Sequence, residues 1–169
     1  WILDILDQLN REILNASEIY YLCHHFKPDV IIDCVNFATV VSYQDIFAAA
    51  KEALQDPTLQ KIEQLLLTQY TPQVIRHVQV FFQSMVEAGT KFYLKIGTSG
   101  SGGMGLNIPF THSEDKPSQT LLAKSALAGA HTLLLFLMAR TPGGPIIKEL
   151  KPTAAIAWKQ IGFGPIIRQ

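Results

Sequence analysis

The sequence predicts an α/β domain with a mostly parallel sheet. Stretches with helical periodicity alternate with short strand-like runs. The run VIIDCV is β-branched and apolar, as in strands buried between two layers. At 169 residues the chain has the length of one domain, without internal repeats or a low-complexity linker.

Taken in order, residues Asn15 to Phe26 carry helix formers and an apolar stripe at Ile19, Leu22, Cys23 and Phe26, and Pro28 stops the helix. VIIDCV is the first strand. Asp45 to Gln55 reads as helix, broken at Asp56-Pro57. Leu59 to Tyr70 is a second helical piece, so the chain between about 55 and 73 reads as a helical insertion within a single domain spanning 1–169. Pro72 stands where a first-turn proline opens a third helix, and Gly89 caps its end. Lys91 to Ile96 is the next strand. A long helix over about Gln119 to Ala139 follows a glycine-rich loop and the polar segment THSEDKPS. The turn TPGGP then leads into a third strand, IIKEL.

Fourteen basic residues balance fourteen acidic ones, which argues against a nucleic-acid footprint or an anionic membrane surface. The expected partners are a small-molecule substrate and a second copy of the chain. Cys23 and Cys34 are too few for a disulfide scaffold and read as reduced, buried thiols of a cytoplasmic protein. The opening WILDILDQLN lacks an initiating Met and a basic n-region, so it is no secretory signal and reads as the middle of a longer protein. The apolar run from Ser125 to Ala139 is about half a dozen residues short of a membrane span and reads as a buried helix.

Gly100, Gly102 and Gly105 satisfy the G-x-G-x-x-G spacing of a dinucleotide phosphate loop. Such a loop must open a helix, whose N-terminal amides hold the pyrophosphate. Here the glycines run into LNIPFTHSEDKPS, where Pro109 and the polar cluster forbid an immediate helix. A nucleophile elbow G-x-S-x-G fails too, since Gly97-Thr98-Ser99-Gly100-Ser101 ends in serine. A glycine loop without a role of its own is a further reading.

The ordered set DVIIDCVNFAT, a helix ending in EAG, KFYLKIGTS, SEDKPS and LLAKSALAG resembles the short-chain dehydrogenase/reductase superfamily, most closely the extended branch that includes sugar-nucleotide epimerases. The resemblance covers about Pro28 to Pro165. It implies a Rossmann-like three-layer domain binding NAD or NADP and acting as an oxidoreductase or epimerase on a carbon that bears a hydroxyl or carbonyl. It implies that Asn36, Phe37, Ala38 and Thr39 pass under the cofactor, and that Thr98 and Ser99, or Ser101, orient the substrate oxygen. Glu114 matches the glutamate of the polar loop, Lys124 matches the lysine that holds the nicotinamide ribose, and Pro152 with Thr153 matches the turn that closes over the nicotinamide. It also implies a homodimer through the helices at 74–88 and 119–139.

Two departures accompany the resemblance. Four residues before Lys124 stands Thr120 where the family has tyrosine, and a threonine hydroxyl, with a far higher pKa than a phenol, does not easily exchange a proton near neutral pH. The family's first strand, T-G-x-x-G-x-x-G loop and first helix have no counterpart, so the N-terminal βαβ unit is missing. A catalytically inactive dinucleotide sensor or assembly module is therefore the alternative reading. No metal site is expected: His24 and His25 are adjacent and diverge by about 100° on a helix. His77 and His131 read as core or interface residues, His112 as a loop cap or acid/base substitute, and Tyr93 as a core residue.

Overall fold

The computed structural model describes residues 2–37, 41, 44–97 and 118–150, and the structural statements below concern these. Three short helices come first: α1 (Ile2–Leu6), α2 (Arg11–Asn15) and α3 (Glu18–Phe26). The sequence suggests one helix from Asn15, but Ala16 and Ser17 divide α2 from α3. The Ser17 hydroxyl accepts from the Tyr20 N–H, as a serine does when it starts a helix rather than continuing one. Strand β1 (Val30–Asp33) follows, then α4 (Ile46–Gln55), whose first N–H groups at Phe47 and Ala48 are capped by Asp45.

Helix α5 (Leu59–Leu67) begins at a Thr58 cap. Tyr70, expected to close that helix, instead opens α6 (Tyr70–Ala88), so Pro72 sits inside the first turn, where no backbone donor is needed. Gly89 ends α6 with φ 75°, a left-handed position that glycine occupies without strain. Strand β2 (Phe92–Ile96), α7 (Gln119–Ala139) and β3 (Ile146–Leu150) complete the order.

The sheet is parallel throughout, ordered β1-β2-β3, with Asp33 beside Lys95 and Lys95 beside Glu149. Helix α6 packs on α3 and α7, and α7 packs on β3. Val78, Phe81 and Met85 of α6 and Leu135 and Met138 of α7 enclose Tyr93, with Ile31 and Ile147 against them. The helices therefore cover one face of the sheet. The fold is α/β with a three-stranded parallel sheet, compatible with a Rossmann-like arrangement.

The opposite face departs from expectation. Alternation puts Val30, Ile32, Ile146 and Leu150 on that side, and each is more than half exposed. Strand β1 is apolar enough for two-sided burial, yet only one side is covered. Cys34 is also exposed, whereas Cys23 is buried as expected. Helix α7 differs similarly: it is apolar around its whole circumference, but Leu122, Leu133, Phe136 and Leu137 are exposed. Because α7 begins before Ser125, its segment Leu122–Ala139 is long and apolar enough to cross a membrane by length and composition, with 28% of it buried.

Met85 is fully enclosed while Leu54 is 84% exposed. Met85→Ala is expected to lower the unfolding free energy by about 2–5 kcal/mol and Leu54→Ala to change it by no more than about 0.5 kcal/mol, measured by urea denaturation.

Candidate functional site

In parallel α/β sheets, ligands bind outside the carboxyl ends of the strands. Here those ends carry an ionic group that lies inside otherwise apolar strands. Asp33 closes β1 and Lys95 lies near the end of β2, at the same level in the sheet. The Lys95 Nζ stands 2.9 Å from Asp33 Oδ2, and the Tyr93 hydroxyl donates to the same oxygen at 2.7 Å. Tyr93, Lys95 and Asp33 are only 1%, 4% and 5% exposed.

Burial alone would raise the Asp33 carboxyl, but the hydrogen bonds from Tyr93, Lys95 and the Val35 N–H hold it below its ordinary value. The phenol of Tyr93 moves the other way. Burial, and then the bond to the Asp33 carboxylate, pushes it far above its ordinary value. Tyr93 therefore supplies no proton near neutral pH, in keeping with its expected core role.

Beyond β1 the chain enters Cys34–Phe37. The Val35 N–H donates to Asp33 Oδ1 at 2.8 Å, and the Val35 carbonyl accepts from Lys95 Nζ at 2.5 Å. Phe37 lies flat on His77 of α6, ring centres 4.3 Å apart, and meets His131 of α7 edge-on at 5.9 Å. Burial lowers the His77 imidazole from 6.5 to about 4, so it is neutral in this stack at neutral pH. At the next strand end Thr132 of α7 donates to Glu149 at 3.2 Å.

Of the residues expected to form a site, Asn36 and Phe37 follow β1 directly, and Lys124 lies near the start of α7, half-buried. No carboxylate among the described residues pairs with Lys124. Thr120 is exposed one turn earlier. Ala38, Thr39, Thr98, Ser99, Ser101, Glu114, Pro152 and Thr153 lie outside the described residues, as does His112. Among the described residues no cluster of His, Cys, Asp or Glu could hold a metal ion.

A cleft of about 810 Å³ lies between Phe47, Ala50 and Leu54 of α4 and Leu122 and Ala126 of α7. No strand residue lines it, so it is a feature of the helical layer. Sequence reading missed the Asp33–Lys95 pair and the Phe37–His77–His131 cluster. The available signal was a charged residue within each of two apolar strands, VIIDCV and KFYLKI.

The described residues supply no glycine-rich strand-to-helix turn for the pyrophosphate of a dinucleotide. Comparison with protein-family models, curated proteins and solved structures finds no match to this chain.

Two acid transitions follow from these groups. His77 binds its proton more readily unfolded, so stability falls as pH drops from 6.5 to about 4, by on the order of 3 kcal/mol. Glu87 accepts from Arg11, Gln83 and Tyr20, which hold its carboxyl at about 2, and its contribution is lost as pH falls from 4.5 to about 2. His77→Phe is expected to flatten the first window and leave the second, as read from urea midpoints between about pH 7 and pH 3.

Proposed function

We propose that this chain is a dinucleotide-binding α/β unit of the short-chain dehydrogenase/reductase type. In this reading NAD or NADP lies across the carboxyl ends of β1 to β3 and a small-molecule substrate beside it. The observation that carries the reading is the sheet itself: three parallel strands in sequential order, helices on one face, and a bare apolar face opposite. Parallel sheets are covered on both faces, so the arrangement suits half of a doubly wound domain. The resemblance assigns the remaining roles.

Lys124 holds the nicotinamide ribose, Asn36 and Phe37 with Ala38 and Thr39 line the cofactor strand, and Pro152 and Thr153 close over it. Thr98, Ser99 or Ser101 orients a hydroxyl or carbonyl oxygen of the substrate. The bound cofactor would exchange a hydride with the carbon bearing that oxygen. Lys124 is suited to its task as a half-buried ammonium without a carboxylate partner among the described residues.

Among the described residues no side chain stands in for the family's proton-carrying tyrosine. Thr120 stands at the family's tyrosine position, and the Tyr93 phenol is held by Asp33. These two facts favour the second reading, a protein that binds the dinucleotide without turning it over, as a sensor or assembly module.

A homodimer through the helices at 74–88 and 119–139 fits the outer side of α7. Gly129, Leu133 and Phe136 are all exposed and follow one another at intervals of four and three, the spacing of a helix-packing seam, and continue a row begun by Leu122 and Ala126 at the α4 cleft. Ile75 and Val86 of α6 are also exposed.

Equilibrium dialysis of the full chain against NADH and NADPH tests the reading. Wild type is expected to take up one of them, with Lys124→Ala weakening uptake about tenfold or more, the loss of a charge-assisted hydrogen bond. Uptake of neither, or uptake unchanged in Lys124→Ala, contradicts it. Leu133→Glu with Phe136→Glu is expected to halve the mass seen by light scattering, and an unchanged mass would contradict the dimer.

A further inference from the structure

We infer that Asp33 and Lys95 are positioning residues: they fix the backbone of Cys34–Phe37 from beneath and, through it, set the affinity for the dinucleotide. The second part rests on the function proposed above; the first stands on geometry.

Val35 is the point of attachment. Both of its backbone groups are bound to the buried pair, the N–H to Asp33 Oδ1 and the carbonyl to Lys95 Nζ. Its side chain, 61% exposed, gives the segment little anchorage, and Cys34 is exposed as well. Two residues on, the Phe37 N–H donates to the Val35 carbonyl at 3.1 Å, and the Phe37 ring is stacked on His77. Asn36 thus lies between two anchored neighbours. A segment leaving a strand end would otherwise be free to take several courses, and apolar packing of exposed Cys34 and Val35 could not select one.

Stability alone does not explain the pair. Apolar residues of similar volume would avoid the desolvation of two charges and often serve the fold as well. What apolar residues could not do is bind the amide and carbonyl of Val35 together. Tyr93 provides an internal control. It donates to Asp33 from the same network but makes no hydrogen bond to the Val35 backbone.

The test compares D33N/K95M with Y93F in the full chain, by residue-resolved amide exchange and by dialysis against NADH and NADPH. The double variant removes the charges and the lysine donor to Val35 with little change of volume. It is expected to speed exchange at Val35 and Phe37 at least tenfold over β2 amides and to weaken dinucleotide affinity about tenfold. Y93F is expected to lower the thermal midpoint without either selective change. If D33N/K95M does not fold, K95Q carries the same comparison. Exchange at Val35 and Phe37 that rises no more than in Y93F overturns the positioning role. Selective exchange with affinity unchanged overturns the link to the ligand. Wild type that takes up neither dinucleotide overturns the proposed function and that link, while exchange alone then decides the positioning role.

Discussion

The Asp33–Lys95 ion pair is the constraint around which the carboxyl end of the sheet is arranged. A carboxylate and an ammonium withdrawn from water are tolerated only where their geometry is held and their remaining hydrogen-bonding capacity is used. The structure meets both demands with few parts. The register of β1 on β2 places the two residues side by side, Tyr93 donates to the carboxylate, and the Val35 N–H and carbonyl bind one atom of each. A slip of one residue in β1 would turn Asp33 to the bare face and strand Lys95 in the core. The pair therefore specifies strand register as well as the course of the chain beyond it.

The two faces of the sheet have different fates. One is sealed by α6 and α7 around Tyr93 and Met85. The other presents Val30, Ile32, Ile146 and Leu150 to solvent, and α7 presents a second apolar strip on its outer side. Surfaces of this kind are usual where a protein meets a partner or another part of itself. They agree with the proposed half of a doubly wound domain whose outer helices pair with a second copy.

Much of the fold was legible because its signals are local. Pro28 and Gly89 act through their own backbone geometry and Asp45 through its side-chain cap, and each marks an element boundary in the sequence and in the structure. The parallel sheet followed from the alternation of elements, and the order of its strands came with the structure. The pairing of Asp33 with Lys95 was not legible, since it depends on the register of two strands whose partners stand 62 residues apart in the chain. The half-covered state of α7 was hidden for a different reason: a helix apolar on every side carries no record of which side is covered. The boundary at Ser17 was missed because helical periodicity runs straight through it. Within the candidate site, Lys124 falls on a helix that the sequence located, Asn36 and Phe37 follow the end of β1 rather than lying in the strand, and Thr98, Ser99, Ser101, Pro152 and Thr153 rest on resemblance alone.

The most direct test of the central claim, that this chain is a dinucleotide-binding unit, is native mass spectrometry of the full protein purified without added cofactor. A dimer that retains the mass of a dinucleotide, released on denaturation and identified as NAD or NADP, is the predicted result. A monomer that carries nothing, and gains nothing when NADH or NADPH is added, would contradict it.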